Sequence, residues 1–224
     1  MINNFIKGVL RVTSVYKMDP KNLNMEVLHL IAEALKNGAI MIYPTDTIYG
    51  IGGNALQSRV VLRIFEVKKR PLDLPMPVAV DSILMANDLV HITDDAKKLM
   101  KTFWPGPLTI ILKRKPIVPD EVTGGSDKVG IRIPNHSIPV KLMELTKFPL
   151  VATSANLHGQ PSPIQIDERV KKLGENIDLI INTEETLGGV PSTVLDLTSK
   201  PLKILRKGPI SRNEIESVIT NNDS

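Results

Sequence analysis

Apolar positions follow two rhythms along this chain. Short, mostly apolar runs read as strands, the one at 39–43 as a buried one, and apolar residues spaced three and four apart read as the inner faces of helices. The runs fall at residues 39–43, 77–80, 109–112, 129–133, 150–153, 179–181, 193–197 and 202–205, and a first strand is expected at 8–15. The helical rhythm appears in Leu28, Ile31 and Leu35. Asp19-Pro20 supplies a cap with proline at the first helical position, and Gly38 supplies a stop. A second helix is expected to start at Ser58, with Val61, Leu62 and Phe65 inward, and to deliver Lys68 and Arg70 at its C-terminal end. A third runs from Thr93 or Asp94 to Phe103, where Trp104-Pro105-Gly106-Pro107 breaks it and forms a rigid packing corner. A last one contains 215–219, and 221–224 is read as a frayed tail.

Strands and helices intermix without strict β-α-β alternation. That predicts a mixed α/β (α+β) fold: one twisted mixed sheet with flanking helices, in a single domain over 1–224. No repeat, low-complexity tract or linker divides the chain.

Composition narrows the picture. Of 224 residues, 42% are hydrophobic and 23% charged, enough for a sizeable core and against global disorder. The absence of cysteine excludes disulfides and thiolate chemistry, which favours a reducing, cytoplasmic setting. No apolar run approaches the roughly 18 residues of a membrane span, so no membrane partner is expected. Lys7, Arg11 and Lys17 with no acid near them resemble a targeting peptide, but Lys7 and Arg11 interrupt the apolar stretch, and a strand is preferred. The net charge of +4 is a modest excess that suits a polyanionic small molecule or RNA.

Familiar catalytic signatures are missing. His29, His91, His136 and His158 are too scattered to pair as metal ligands, so no metal site is expected. There is no serine-hydrolase elbow, no Gly-x-x-x-x-Gly-Lys-Ser/Thr loop and no Gly-x-Gly-x-x-Gly fingerprint. What remains is a set of small polar residues at strand ends: Thr45, Thr47, Thr153-Ser154-Ala155-Asn156, Ser162 between two prolines, and Ser192-Thr193. Ligands in open sheets collect just past strand ends. Lys68, Arg70, Arg132 and Arg206 accompany them, and guanidinium groups grip carboxylates and phosphates. This is equipment for placing anions and stabilising a phosphoryl transition state without a protein nucleophile. Ordinary roles compete: Lys68-Lys69-Arg70 can complement a helix dipole, and Thr-Ser-Ala-Asn can cap a helix. Arg132, flanked by Ile131 and Ile133, needs a partner or a ligand. Lys113-Arg114-Lys115 reads as a solvated turn.

Seven segments in order carry a resemblance. They are Tyr-Pro-Thr-Asp-Thr-Ile-Tyr-Gly at 43–50, Lys-Lys-Arg-Pro at 68–71, Trp-Pro-Gly-Pro-Leu-Thr at 104–109, Gly-Ile-Arg-Ile-Pro at 130–134, Thr-Ser-Ala-Asn at 153–156, Pro-Ser-Thr at 191–193 and Arg-Lys-Gly at 206–208. Together they resemble the YrdC/Sua5 family, the L-threonylcarbamoyladenylate synthases, over about 23–208. The resemblance implies a YrdC-like domain with a concave basic groove. It implies a reaction in which L-threonine, bicarbonate and ATP with Mg²⁺ give threonylcarbamoyl-AMP and pyrophosphate. A downstream threonylcarbamoyl transferase then modifies adenosine 37 of tRNA to t6A. By residue, it places Lys68 and Arg70 at the phosphates as the catalytic pair, and Ser154, Asn156, Ser162 and Arg206 on ATP. It places Thr45, Thr47, Arg132 and Ser192 near threonine. The short YrdC form, without a further C-terminal Sua5 domain, is the expected type, and Ala79 stands where many long-form members carry histidine. Two other readings stay open: an RNA- or tRNA-binding protein of this fold without synthase activity, and a paralogue with another carbamoyl or acyl acceptor.

Overall fold

A computed structural model describes residues 13–174, 176–183 and 187–220. The expected first strand at 8–15 lies partly outside the described residues. Its end is seen as β1, Ser14–Lys17. The expected frayed tail at 221–224 also lies outside them.

The chain then runs through α1 (Met25–Lys36), β2 (Met41–Tyr43), β3 (Gly50–Gly52), α2 (Ser58–Lys68), β4 (Val78–Ala79), α3 (Ile83–Leu89) and α4 (Asp94–Phe103). Next come β5 (Leu108–Lys113), α5 (Asp120–Thr123), β6 (Lys128–Arg132), α6 (Ser137–Thr146), β7 (Leu150–Val151) and β8 (Thr153–Ser154). The chain finishes with α7 (Glu168–Gly174), β9 (Leu179–Asn182), β10 (Thr193–Asp196), β11 (Lys203–Arg206) and α8 (Arg212–Thr220).

The mixed α/β class holds, but there are two mixed sheets instead of one. One has the order β1-β9-β2-β3-β8 and the other β11-β10-β5-β6-β4-β7. The expected single strand at 150–153 is the reason. Its first half, β7, pairs with β4, and its second half, β8, pairs with β3, so the chain changes sheet at Ala152. There Ala152 N–H donates to Pro77 O at 2.8 Å, which ties the crossing to the strand beside it.

Local chemistry explains the other departures. α1 begins at Met25, not at Asp19-Pro20, because the Asn24 side chain accepts from Val27 N–H at 3.1 Å. Asp19 instead accepts from Lys21 N–H at 2.8 Å and closes a turn. Gly38 does end the helix, with φ +89°. α2 has no side-chain cap, since Ser58 Oγ donates to Glu121 Oε2 at 2.9 Å, and Leu62 faces outward where Val60, Val61, Ile64 and Phe65 are buried.

β3 escapes the apolar rhythm because two of its three residues are glycine. A Cβ on Gly52 would lie 2.6 Å from both Tyr43 Cε1 and Val151 O. The Tyr43 ring therefore lies directly on β3, and its hydroxyl donates to Val151 O at 3.1 Å. The glycine is needed for close packing of a ring, more than for the approach of a ligand.

Candidate active site

Where the two sheets meet, strand ends from both converge on a cavity of about 160 Å³. Tyr43 and Gly50 come from the first sheet. Ala79 and Arg132 come from strands of the second, and Arg206 from its edge. Of the residues singled out from the sequence, the cavity brings together Thr45, Thr47, Arg70, Arg132, Ser154, Ser192 and Arg206. Lys68, Asn156 and Ser162 lie outside this lining.

Arg132, at the end of β6, is 9% exposed. Its Nε donates to Gly106 O at 2.7 Å, its Nη1 to Thr47 Oγ1 at 3.1 Å, and its Nη2 to the Asp46 carboxylate. Burial lowers its affinity for the proton and Asp46 restores part of it; the guanidinium stays charged. The turn at 104–107 is thus more than a packing corner, because it aims the Gly106 carbonyl at Arg132. Sequence reasoning passed over both holders. Asp46 lay within the 43–50 motif, and the signal available was that a buried arginine needs an anionic partner.

The two threonines are oriented as firmly. Thr45 Oγ1 donates to Ile48 O at 2.7 Å, because a carbonyl can only accept. Thr47 Oγ1 lies 3.0 Å from Thr45 Oγ1 and accepts from Arg132 Nη1. Thr47 thus meets the cavity beside the Arg132 guanidinium.

On the opposite wall Arg206 donates through Nε to Ser192 O and through Nη2 to Ser192 Oγ, both at 2.9 Å. Ser192 Oγ lies 2.8 Å from Thr109 Oγ1, a buried lining residue that the sequence reading left without a role. Burial first, and the nearby Arg132 charge second, lower the proton affinity of Arg206. Arg70 is held by Leu74 O at 3.2 Å and Pro75 O at 3.0 Å, with His158 Nδ1 3.4 Å away.

Lys68 is 1% exposed and turned away from the cavity. Its Nζ donates to Ser154 O at 2.5 Å and to Asn156 O at 2.7 Å. Burial, and then the Arg70 guanidinium, push it down to about 7. Asn156 donates to Leu157 O at 3.0 Å and Gln160 O at 2.6 Å, and it lines a second, open cavity of about 620 Å³ between the 155–163 loop and α7.

The lining offers guanidinium groups and hydroxyls. The carboxylate that meets it, Asp46, is already bound to Arg132. Among the described residues no three His, Cys, Asp or Glu side chains converge as a metal site would require. These residues do not fit a resident metal ion. Among the same residues no helix is long and apolar enough to cross a membrane.

Comparison with known proteins agrees with this picture. A sequence profile of Sua5, YciO and YrdC proteins, described as "telomere recombination", matches residues 33–208. The threonylcarbamoyl-AMP synthase of Pyrococcus abyssi is 42% identical over 86% of this chain and 57% of its own length. A putative threonylcarbamoyl-AMP synthase of Methanocaldococcus jannaschii is 34% identical over 89% of this chain and 94% of its own. The crystal structure of P. abyssi Sua5 complexed with L-threonine superposes with a TM-score of 0.86 at 39% identity, covering 93% of this chain and 61% of that one. The chain thus spans little more than half the length of the P. abyssi relative. With the seven motifs, the two sheets and the profile in agreement, the chain belongs to the Sua5/YciO/YrdC family.

Proposed function

We propose that the chain is a threonylcarbamoyl-AMP synthase. It takes L-threonine, bicarbonate and ATP, and its product supplies the t6A modification of tRNA through a downstream transferase in the cytoplasm. The observation that carries the reading is one cavity walled by Arg70, Arg132 and Arg206, with hydroxyls between them. A relative that is 39% identical has a structure complexed with L-threonine, which supports an amino acid as one occupant.

The chemistry follows from the placement. The threonine carboxylate lies on Arg132, and its amine reaches the Thr47 hydroxyl. The amine attacks the carbon of bicarbonate or CO₂ to give a carbamate, with loss of water when bicarbonate is the source. A carbamate oxygen then attacks the α-phosphorus, and the bond to pyrophosphate breaks. Arg70 and Arg206 face the phosphates, where charge accumulates. Magnesium enters as the counter-ion of the triphosphate, and no step is assigned to it. At about 160 Å³ the cavity is smaller than the roughly 300–1,000 Å³ of drug-sized sites, so it suits the amino acid, with the nucleotide over its mouth. Ser154, Asn156 and Ser162 belong to the nucleotide side. Lys68 acts at one remove, by fixing the carbonyls of Ser154 and Asn156.

The test is pyrophosphate release by purified protein with ATP and Mg²⁺, adding L-threonine and bicarbonate singly and together. Release that requires both is expected. No release under any combination from folded protein would move the reading to RNA binding or to a paralogous acyl or carbamoyl transfer. Binding of tRNA that falls steeply with salt and ignores ATP would then select the former.

A further inference from the structure

The three guanidinium groups of the cavity are unequal in charge. The partners of Arg70 are two carbonyls and a ring nitrogen, and those of Arg206 are the carbonyl and hydroxyl of Ser192. Among the described residues none of these partners is an anion, so neither guanidinium is neutralised by one there. Arg132 instead forms an ion pair with Asp46, with 10% and 15% of the two side chains exposed. The pair has almost no net charge, so its field weakens with distance faster than that of a lone guanidinium, although nearby Arg206 still feels Arg132. Gly106, Thr47 and Asp46 accept three of the five guanidinium N–H groups, which leaves two.

We propose that Asp46 is a specificity-determining residue that sorts the anions of the two substrates. By neutralising Arg132, it reserves that end of the cavity for a single carboxylate on the two remaining N–H groups and turns phosphates toward Arg70 and Arg206. This rests on the reading of the cavity as a site for an amino acid beside a nucleotide. A free amino acid is a zwitterion with no net charge, and it sits beside a neutral pair without repulsion. Pyrophosphate carries two or more negative charges and would face the Asp46 carboxylate with no net cation to offset them. Without Asp46, Arg132 would be a third buried cation in reach of Arg206, and the strongest phosphate site in the cavity.

The experiment is calorimetric titration of L-threonine into the full chain, with and without inorganic pyrophosphate at ten times its own Kd. In the wild type, pyrophosphate is expected to leave the threonine Kd within about twofold. In Asp46→Asn it should raise the apparent Kd about tenfold, as a competitor at that concentration must. Competition in the wild type overturns the proposal, and so does a folded Asp46→Asn protein that binds threonine without competition. Where Asp46→Asn does not fold, the wild-type comparison decides alone, with independence supporting the proposal and competition overturning it. Wild-type protein that binds no L-threonine overturns the underlying reading of the cavity, an outcome distinct from competition.

Discussion

The Asp46 carboxylate and the Arg132 guanidinium form a buried ion pair that joins the loop after β2 to the end of β6. The pair spans the two sheets, because β2 belongs to one and β6 to the other. It therefore holds the cavity together as well as setting its charge.

Breaking a buried pair leaves an uncompensated charge, at a cost of about 3–5 kcal/mol. Arg132→Gln and Asp46→Asn should each destabilise the protein by that order in urea unfolding. The double variant should lose less than the sum of the two. Additive losses would mean that the pair is not coupled in solution.

Thr45 Oγ1 also accepts from the backbone N–H groups of Thr47 and Ile48, both at 3.2 Å. Thr45→Val strands those donors and the Ile48 carbonyl, which should cost about 1–3 kcal/mol and weaken threonine binding. Thr45→Ser keeps the hydroxyl and should restore both. A serine variant as weak as the valine one in calorimetry would show that the methyl group matters instead.

Lys68 titrates in the fold near 7, below its ordinary 10.5. Between those values the unfolded chain binds more protons than the folded one, so stability rises with pH across that window. The penalty of burying the charge is complete below the folded value and is relieved as pH climbs. Chemical unfolding at pH 6, 7, 8 and 9 should show the wild type gaining on Lys68→Met as pH increases. A constant difference would mean that the carbonyls of Ser154 and Asn156 keep the ammonium charged throughout.

Gly208 follows β11 and packs on the Ser192 backbone. A Cβ there would lie 2.5 Å from Pro191 O and 2.6 Å from the Ser192 carbonyl carbon. Gly208→Ala must push Ser192 away from Arg206. Nucleotide affinity should fall at least about tenfold, the loss of roughly 1.4 kcal/mol expected of a charge-assisted contact. Fluorescent-nucleotide titration reads this directly, and unchanged affinity would remove Arg206 from the nucleotide site.

Arg70 faces the cavity with no anionic partner among the described residues. Arg70→Ala should lower turnover about tenfold or more while leaving L-threonine binding intact. Unchanged turnover would remove its assignment at the phosphates.

The sequence by itself marked the central strands, because short, mostly apolar runs such as 39–43 and 109–112 are too short for a buried helix. It determined the family, because seven short motifs stand in one order. It also marked most of the polar side chains of the cavity lining, since hydroxyls and arginines at strand ends have few structural uses. Gly50-Ile51-Gly52 hid a strand, because the Tyr43 ring supplies the apolar cover that its glycines lack. α6, with Pro139 in its first turn, and the short α3, α5 and α7 carried no rhythm strong enough to register. Lys113-Arg114-Lys115 read as solvated, yet Arg114 donates to Val118 O at 2.5 Å and Ser126 O at 3.0 Å and binds Asp120, so it organises the turn before β6. Only the tertiary structure decided the division into two sheets, the rotation of Lys68 away from the cavity, and the pairing of Asp46 with Arg132. Each depends on contacts between residues far apart in the chain, 86 positions in the last case. Local propensity holds no information about which distant carbonyl or carboxylate will meet a given cation.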